Sequence, residues 1–466
     1  MLRCMSYKLT LSILICGNLW ASGVSASQNV TQTAQQAISF SPDVQNSWYN
    51  FLKAGDDIDS ARGGYKPTLD FHANYGREIR TGSGWSSGTE SPFNGGRAEL
   101  SFVQMLYDGF QTTGYVESAE GQQLVSYFQM LSQIQNTALD AYAAHMDVVR
   151  NRQLVSLAED NLDQHQRVYR QVQRSSGAGV TNAADLDQIT GRLSLAQANL
   201  ITAKNELRKV ESRYLRVVGS DAPVDLSVPD TMTLPPSSND AEKEALKANP
   251  EFLGALYNIQ ASEAAVEASK SGYHPQVNLT ARYGSQDYDD RGLDNSRTDG
   301  RIAIEFHYNL YNGGRDKAAI RKAYNEVNRS KAERDSVCYS LRQNVQVAFD
   351  DTRRVSEQIP VLRQHQQSSD RVRRAYQEQF LIGRRSLMDV LDSENEHFQA
   401  SRALINAQYD QLIATARTKA AMGTLLPSLG VVRKDLPSLS DLDDNPVVVD
   451  PDTACPQGYA ANSFQY

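Results

Sequence analysis

Two stretches of the chain alternate apolar and polar residues with a period of two. Leu69, Phe71, Ala73 and Tyr75 alternate with Thr68, Asp70, His72 and Asn74, and Val277, Leu279, Ala281 and Tyr283 alternate with Gln276, Asn278, Thr280 and Arg282. Such alternation marks strands with two unlike faces. A second strand follows each, clearest where Ile302, Ile304, Phe306, Tyr308 and Leu310 alternate with Arg301, Ala303, Glu305, His307 and Asn309. The pattern predicts strands at about 67–79, 97–107, 275–287 and 300–310. The Gly-, Ser- and Asp-rich stretches Thr81–Gly96 and Gln286–Asp299 read as exposed hairpin loops.

After each strand pair the period becomes helical. Gln122 to Ser176 contains neither Gly nor Pro, and Arg315 to Ile382 contains no Gly and only Pro360. This predicts long helices at about 111–176 and 315–382, each roughly 100 Å long, wider than one globular domain. Cys338, Leu341, Val345, Ala348, Thr352, Val355, Ile359 and Leu362 step by three and four, a stripe for coiled-coil-like packing. Pro360 lacks the N–H of an interior helix position, so a kink or local break is expected there. Half-length helices are expected at about 44–64, 183–218, 241–272 and 386–424, stacked end to end beside the long ones.

The chain is internally duplicated. Gly64-Tyr65-Lys66-Pro67 reads against Gly272-Tyr273-His274-Pro275, Ser41-Pro42 against Asn249-Pro250, Leu106-Tyr107-Asp108-Gly109 against Leu310-Tyr311-Asn312-Gly313, and Gly179 and Asp185 against Gly383 and Asp389. Residues 27–232 form one unit and 233–426 the other, each with two strands, one long helix and two half-helices. Residues 427–466, with Pro427, Pro437, Pro446, Pro451 and Pro456 among acids, read as an extended tail.

Four strands of about ten residues suit a bilayer crossing but cannot close a barrel, for which about eight is the usual minimum. Three copies supply twelve. Phe71, Tyr75, Leu279, Tyr283, Ile304 and Phe306 would then face lipid, and the polar faces would line a lumen. A soluble sandwich with one wet face is the alternative that alternation alone leaves open. Arg3 and Lys8 before the apolar run Leu9–Trp20, then Val24-Ser25-Ala26, read as a secretory signal over 1–26. Cys16 lies in that run, without the small residues of a lipoprotein site. Cys338 and Cys455 then remain, too few for a disulfide framework, though a single bridge between them is open.

With 466 residues, 40% of them hydrophobic, the chain has the composition of a folded protein. Net charge is −8, with 47 bases against 55 acids, which leaves no basic excess for nucleic acid. Beyond the signal no run of about 18 apolar residues appears, so membrane entry would require a closed barrel. The seven histidines show no metal-ligand spacing, and no nucleophile elbow or phosphate-cradling loop is present, so neither an enzyme nor a cofactor is expected. Asn312-Gly313-Gly314 reads as a strand-to-helix turn in which Gly supplies positive φ. Asp389 and Asp392 share one face of a helix start. There Ser386 and Asp389 spell a capping box, and acids suit the helix dipole.

The Gly-Tyr-x-Pro strands, the turn Leu310 to Arg315, and Gly383-Arg384-Arg385-Ser386-Leu387-Met388-Asp389-Val390-Leu391-Asp392 resemble the TolC-type outer-membrane channel proteins. The resemblance covers about 39–426. It implies an α+β membrane protein: a homotrimer with a twelve-stranded barrel in the outer membrane, continued by a helical tunnel through the periplasm. It further implies docking to a periplasmic adaptor and an inner-membrane transporter. The matching carboxylates of the family ring the periplasmic mouth, which would place Asp389 and Asp392 at a constriction. Its closing links would correspond to Arg385 with Asp185, although Ala184 and Phe380 stand where a hydroxyl residue and a tyrosine are expected. Those departures imply a looser latch, or one built differently through Arg384; the plainer reading of Arg384 and Arg385 is solvated tip charges. Arg97-Ala98-Glu99-Leu100 and Gln104 to Phe110 resemble the branch serving type I secretion of adhesins, which implies an ABC exporter as the transporter. Drug efflux and a soluble periplasmic coiled-coil rod are the competing readings.

Overall fold

The computed structural model describes residues 28–80, 91–177, 183–290, 293–431 and 436–455. The secretory-signal reading of 1–26, with Cys16, lies outside them. Helices α1 (Val30–Phe40) and α2 (Pro42–Arg62) lead into strands β1 (Thr68–Arg80) and β2 (Ser91–Tyr107). Helix α3 (Gln111–Gly177) runs the length of the molecule and α4 (Ala183–Val218) returns beside it. The second unit repeats the order with α5 (Ser238–Ala248), α6 (Pro250–Lys270), β3 (Gln276–Asp290), β4 (Leu293–His307), α7 (Arg315–Leu381) and α8 (Leu387–Ala421). Short helices α9 (Leu425–Leu429) and α10 (Leu439–Leu442) lie in the tail.

The strands form one antiparallel sheet in the order β1-β2-β3-β4. Its register gathers the alternation of all four strands. Phe71, Leu100 and Tyr283 are row partners, as are Leu69, Phe102, Ala281 and Ile302, and Leu279 with Ile304. One face is therefore apolar. The opposite face carries Asp70, His72, Asn74, Arg97, Glu99, Arg282, Arg297, Asp299, Arg301 and Glu305. The ladders run further than the alternation marks: Ser91–Gly96, Gln286–Asp290 and Leu293–Asp299 are paired strand, not loop. Backbone pairing carries a hairpin through residues of low strand propensity once the register is set. At the other end β4 stops at His307, so Leu310 lies beyond the sheet.

Expected helix 241–272 is two helices. Asn249, before Pro250, is extended (φ −71°, ψ 121°) and its carboxamide accepts from the N–H groups of Glu251 and Phe252, so one residue ends α5 and caps α6. Ser41 before Pro42 does the same between α1 and α2. By contrast, α7 runs through Pro360 without a break, so the expected local break does not occur. Ile359 is buried against α8 in a cluster with Val355 and Ala407, and packing of this kind holds a helix through a proline. Both long helices contain 67 residues.

The strand-to-helix turns differ between repeats. Gly313 and Gly314 have φ of 72° and 84°. In the first repeat Gly109 and Phe110 take φ of 68° and 66°, and Asp108 caps α3 by accepting from the N–H groups of Gln111 and Thr112. The main core lies midway along the rods, where Tyr142, Tyr214, Tyr257, Met130 and Met146 are fully buried. Here α1 packs on α3 and α4. His145 is sealed between Thr33 Oγ1 at 2.8 Å and the Ser227 carbonyl at 3.0 Å. Burial lowers its pKa to about 4.

The tail is not a free extended segment. Leu429, Leu436, Leu439, Leu442 and Val447 pack on the core. Tyr127 donates to the Pro437 carbonyl, Tyr257 donates to Asp443, and Lys243 pairs with Asp452. Cys455 is bonded to Cys338 of α7, with their Cα atoms 6.1 Å apart.

Candidate functional site

The rods end, away from the sheet, in two helical hairpins, α3–α4 and α7–α8. An apolar plug of Val168, Val172, Ile189, Leu387 and Leu391 joins them. Gly383, at φ 74°, ends α7 and turns the chain toward α8. Ser386 then caps α8: its hydroxyl accepts from the Asp389 N–H at 3.2 Å and donates to Asp389 Oδ2 at 2.8 Å, while its own N–H donates to the same oxygen. These bonds favour the ionised carboxylate, so the pKa of Asp389 is held below its ordinary value, with help from Arg385. The capping box spelled by Ser386 and Asp389 is thus formed.

Arg385 lies on its own hairpin. It donates to Gln379 at 2.9 Å, covers the ring of Tyr376 at 4.2 Å and reaches Asp389 at 3.9 Å. Asp185 sits in the first turn of α4, and the Arg384 N–H donates to the Gln379 carbonyl. Near the tips an ion pair crosses between the hairpins, joining Arg192 of α4 to Asp392 of α8 at 2.8 Å. Gln188, one turn earlier, contacts Met388. Sequence reasoning missed Arg192. Its signal was modest: it follows Asp185 by two helical turns, on the same face of α4.

Further along α8 from the hairpin tips, Glu394 is buried between α7 and α8, bonded to Gln377 and 3.6 Å from Arg373. Burial raises its pKa, against the pull of Arg373. Arg373 also pairs with Asp370 at 2.8 Å, and His397 lies 3.9 Å from that carboxylate. A cavity of about 230 Å³ opens beside this cluster, with Asp160, Arg167 and Phe398 in its wall. Among the described residues no group of His, Cys, Asp and Glu is placed to hold a metal, and no helix is long and apolar enough to cross a membrane.

Known proteins match this architecture over most of its length. The chain is 26% identical over 424 residues to the outer membrane efflux protein BepC of Brucella suis biovar 1, covering 89% of each. It is 25% identical to the outer membrane protein TolC of Escherichia coli K12, covering 95% of this chain and 90% of the relative. The alkaline protease secretion protein AprF of Pseudomonas aeruginosa is 23% identical over 77% of each chain. Among solved structures, a membrane protein from Pseudomonas aeruginosa superposes with a TM-score of 0.75 at 16% identity, covering 84% of this chain and 90% of that one. The Campylobacter jejuni CmeC outer membrane channel gives 0.72 at 14% identity, with 86% of each covered. The outer membrane efflux protein family model matches residues 33–219 and 242–424, one stretch in each repeat. The chain belongs to the outer membrane efflux protein family: it is an outer-membrane channel protein of the TolC type, in which three chains join their four-stranded sheets into one barrel above a helical periplasmic tunnel.

Proposed function

We propose that the chain is the passive exit duct of a type I secretion machine for a large protein such as an adhesin, driven by an ABC exporter through a periplasmic adaptor. The likeness to a protease secretion protein supports this reading, as do Arg97-Ala98-Glu99-Leu100 and Gln104 to Phe110. A drug-efflux duct is the second reading, favoured by the likeness to an efflux protein. Deleting the gene separates them. Loss of surface adhesin with unchanged drug susceptibility supports secretion, and the opposite outcome supports efflux.

Within the duct, Asp389 and Asp392 form the narrowest ring of the periplasmic mouth. The capped, ionised Asp389 at the tip of α8 is the observation that carries this. Six carboxylates around a threefold axis attract cations. Arg385, Asp185 and Arg384 form the closing latch, with the Arg192–Asp392 pair as its link between hairpins. Phe71, Tyr75, Leu279, Tyr283, Ile304 and Phe306 turn to lipid, because they occupy the apolar face. A heat-labile trimer in detergent and unit current steps in a planar bilayer test the duct; a soluble monomer without steps refutes it.

A further inference from the structure

We propose that the polar face of the sheet carries a binding site for a phosphate- or sulfate-type oxyanion, centred on Arg282 and Arg301, one in each chain of the trimer. The site rests on the reading that this face lines the lumen. Arg282 of β3 and Arg301 of β4 are direct register partners, so their side chains leave the sheet together on one face. Like charges directly opposite destabilise an antiparallel pair. Among the described residues neither arginine has an ion pair or side-chain hydrogen bond to offset this.

Within the chain, the carboxylates nearby do not close the gap. Asp70 shares their row through Ser101, but it stands two strands from Arg282, about 10 Å at ordinary strand spacing. Glu99 and Asp299 flank Gly284 one row toward the hairpin tips, and Glu305 lies on the helix side, where it accepts from the Thr280 hydroxyl at 3.1 Å. Between these groups is a hollow of about 110 Å³, lined on the polar face by Ser101, Thr280, Arg282, Arg301, Glu99 and Glu305. Two planar guanidinium forks and the Ser101 hydroxyl around such a space match the donors a tetrahedral oxyanion needs.

Threefold repetition makes a ring of six guanidiniums, the arrangement that anion and phosphate pores use. A second arginine layer, Arg97 and Arg297 flanking Gln286, lies nearer the hairpin tips, with Arg97 donating to Gln286 at 3.0 Å. The acid row of Glu99 and Asp299 separates the layers and keeps the passage close to balanced in charge. A monovalent ion therefore gains little, whereas a multivalent oxyanion that bridges both arginines of a pair gains a fork from each.

The test uses the full-length trimer in a planar bilayer at low ionic strength, with inorganic tripolyphosphate added to each side in turn. Reversible block of the wild-type current is expected. The half-blocking concentration should rise about tenfold in Arg282→Gln or Arg301→Gln, and Arg282→Lys should retain part of the block. A heat-labile trimer on a gel and the presence of unit steps in potassium chloride, whatever their size, show that the variants assemble. A wild-type channel that conducts without any block overturns the site, and so does block indifferent to both Gln substitutions. Absence of unit steps in plain salt is a different failure, since it removes the duct reading itself.

Discussion

Asp389 answers two demands with one carboxylate. Ser386 fixes its rotamer for helix capping, and the same bonds keep it charged where the two hairpins end. Replacing Asp389 and Asp392 by Ala should weaken both cation preference and block by divalent cations in single-channel recordings; unchanged conductance in divalent salts would remove the ring. The cap was legible because Ser-x-x-Asp is a local pattern. Arg192 was not, because Asp392 lies 200 residues away and only folding brings them within 2.8 Å. Arg192→Ala should therefore enlarge the unit current of the resting channel, and an unaltered current would show that the pair does not restrain the mouth. His145 makes a separate prediction. With a folded pKa near 4 against 6.5 unfolded, the folded chain refuses a proton that the unfolded chain accepts. Stability is then full above pH 6.5 and declines as pH falls from 6.5 toward 4, by on the order of 3 kcal/mol. Thermal unfolding over that range should show the decline, and His145→Gln should flatten it.

At the scale of elements, α3 and α6 approach through glycine. A Cβ on Gly114 would meet the Ala268 nitrogen at 2.6 Å, and one on Gly121 would meet the Ala261 side chain at 2.9 Å. Backbone lies on the far side of both contacts, so relief requires the helices to part. Gly121→Ala should cost about 1–3 kcal/mol, despite the better helix propensity of Ala, and should lower the temperature at which the trimer dissociates. Helical periodicity without Gly or Pro revealed the long rods, but these two glycines lie ahead of that uninterrupted stretch and carried no sign of the crossing. The division at Asn249-Pro250 was visible as a motif, matched by Ser41-Pro42, yet its meaning as a break needed the extended backbone of Asn249. Pro360 shows the reverse: a residue that ends helices in isolation sits inside one anchored by the buried Ile359 beside it.

For the whole molecule, duplication and alternation indicated four strands per chain, since each depends on short-range pattern, whereas the barrel completed by three copies also needed the secretory signal, the long one-sided helices and the resemblance to TolC-type channels. The tail was opaque for the opposite reason. Its prolines and acids describe a solvated segment, and nothing local announces that Leu436, Leu439, Leu442 and Val447 seat on a core made by α1, α3 and α8. From the end of α8 its described residues pass the tyrosines of α3 and α6 and reach α7, so they girdle the rods. Cys455→Ser should destabilise the fold by about 2–4 kcal/mol. The loss should appear as a lower melting temperature without reductant, and addition of reductant should leave the variant unaffected while bringing the wild type down to it.

The same sulfur–sulfur bond also keeps a record of biogenesis. It can form only after the polypeptide has left a reducing cytosol and its last described residues have found α7, so a thiol-trapping gel shift distinguishes newly exported molecules from those whose girdle is complete. Sampled at intervals after synthesis, that shift would time when the waist of each protomer closes relative to insertion of its barrel.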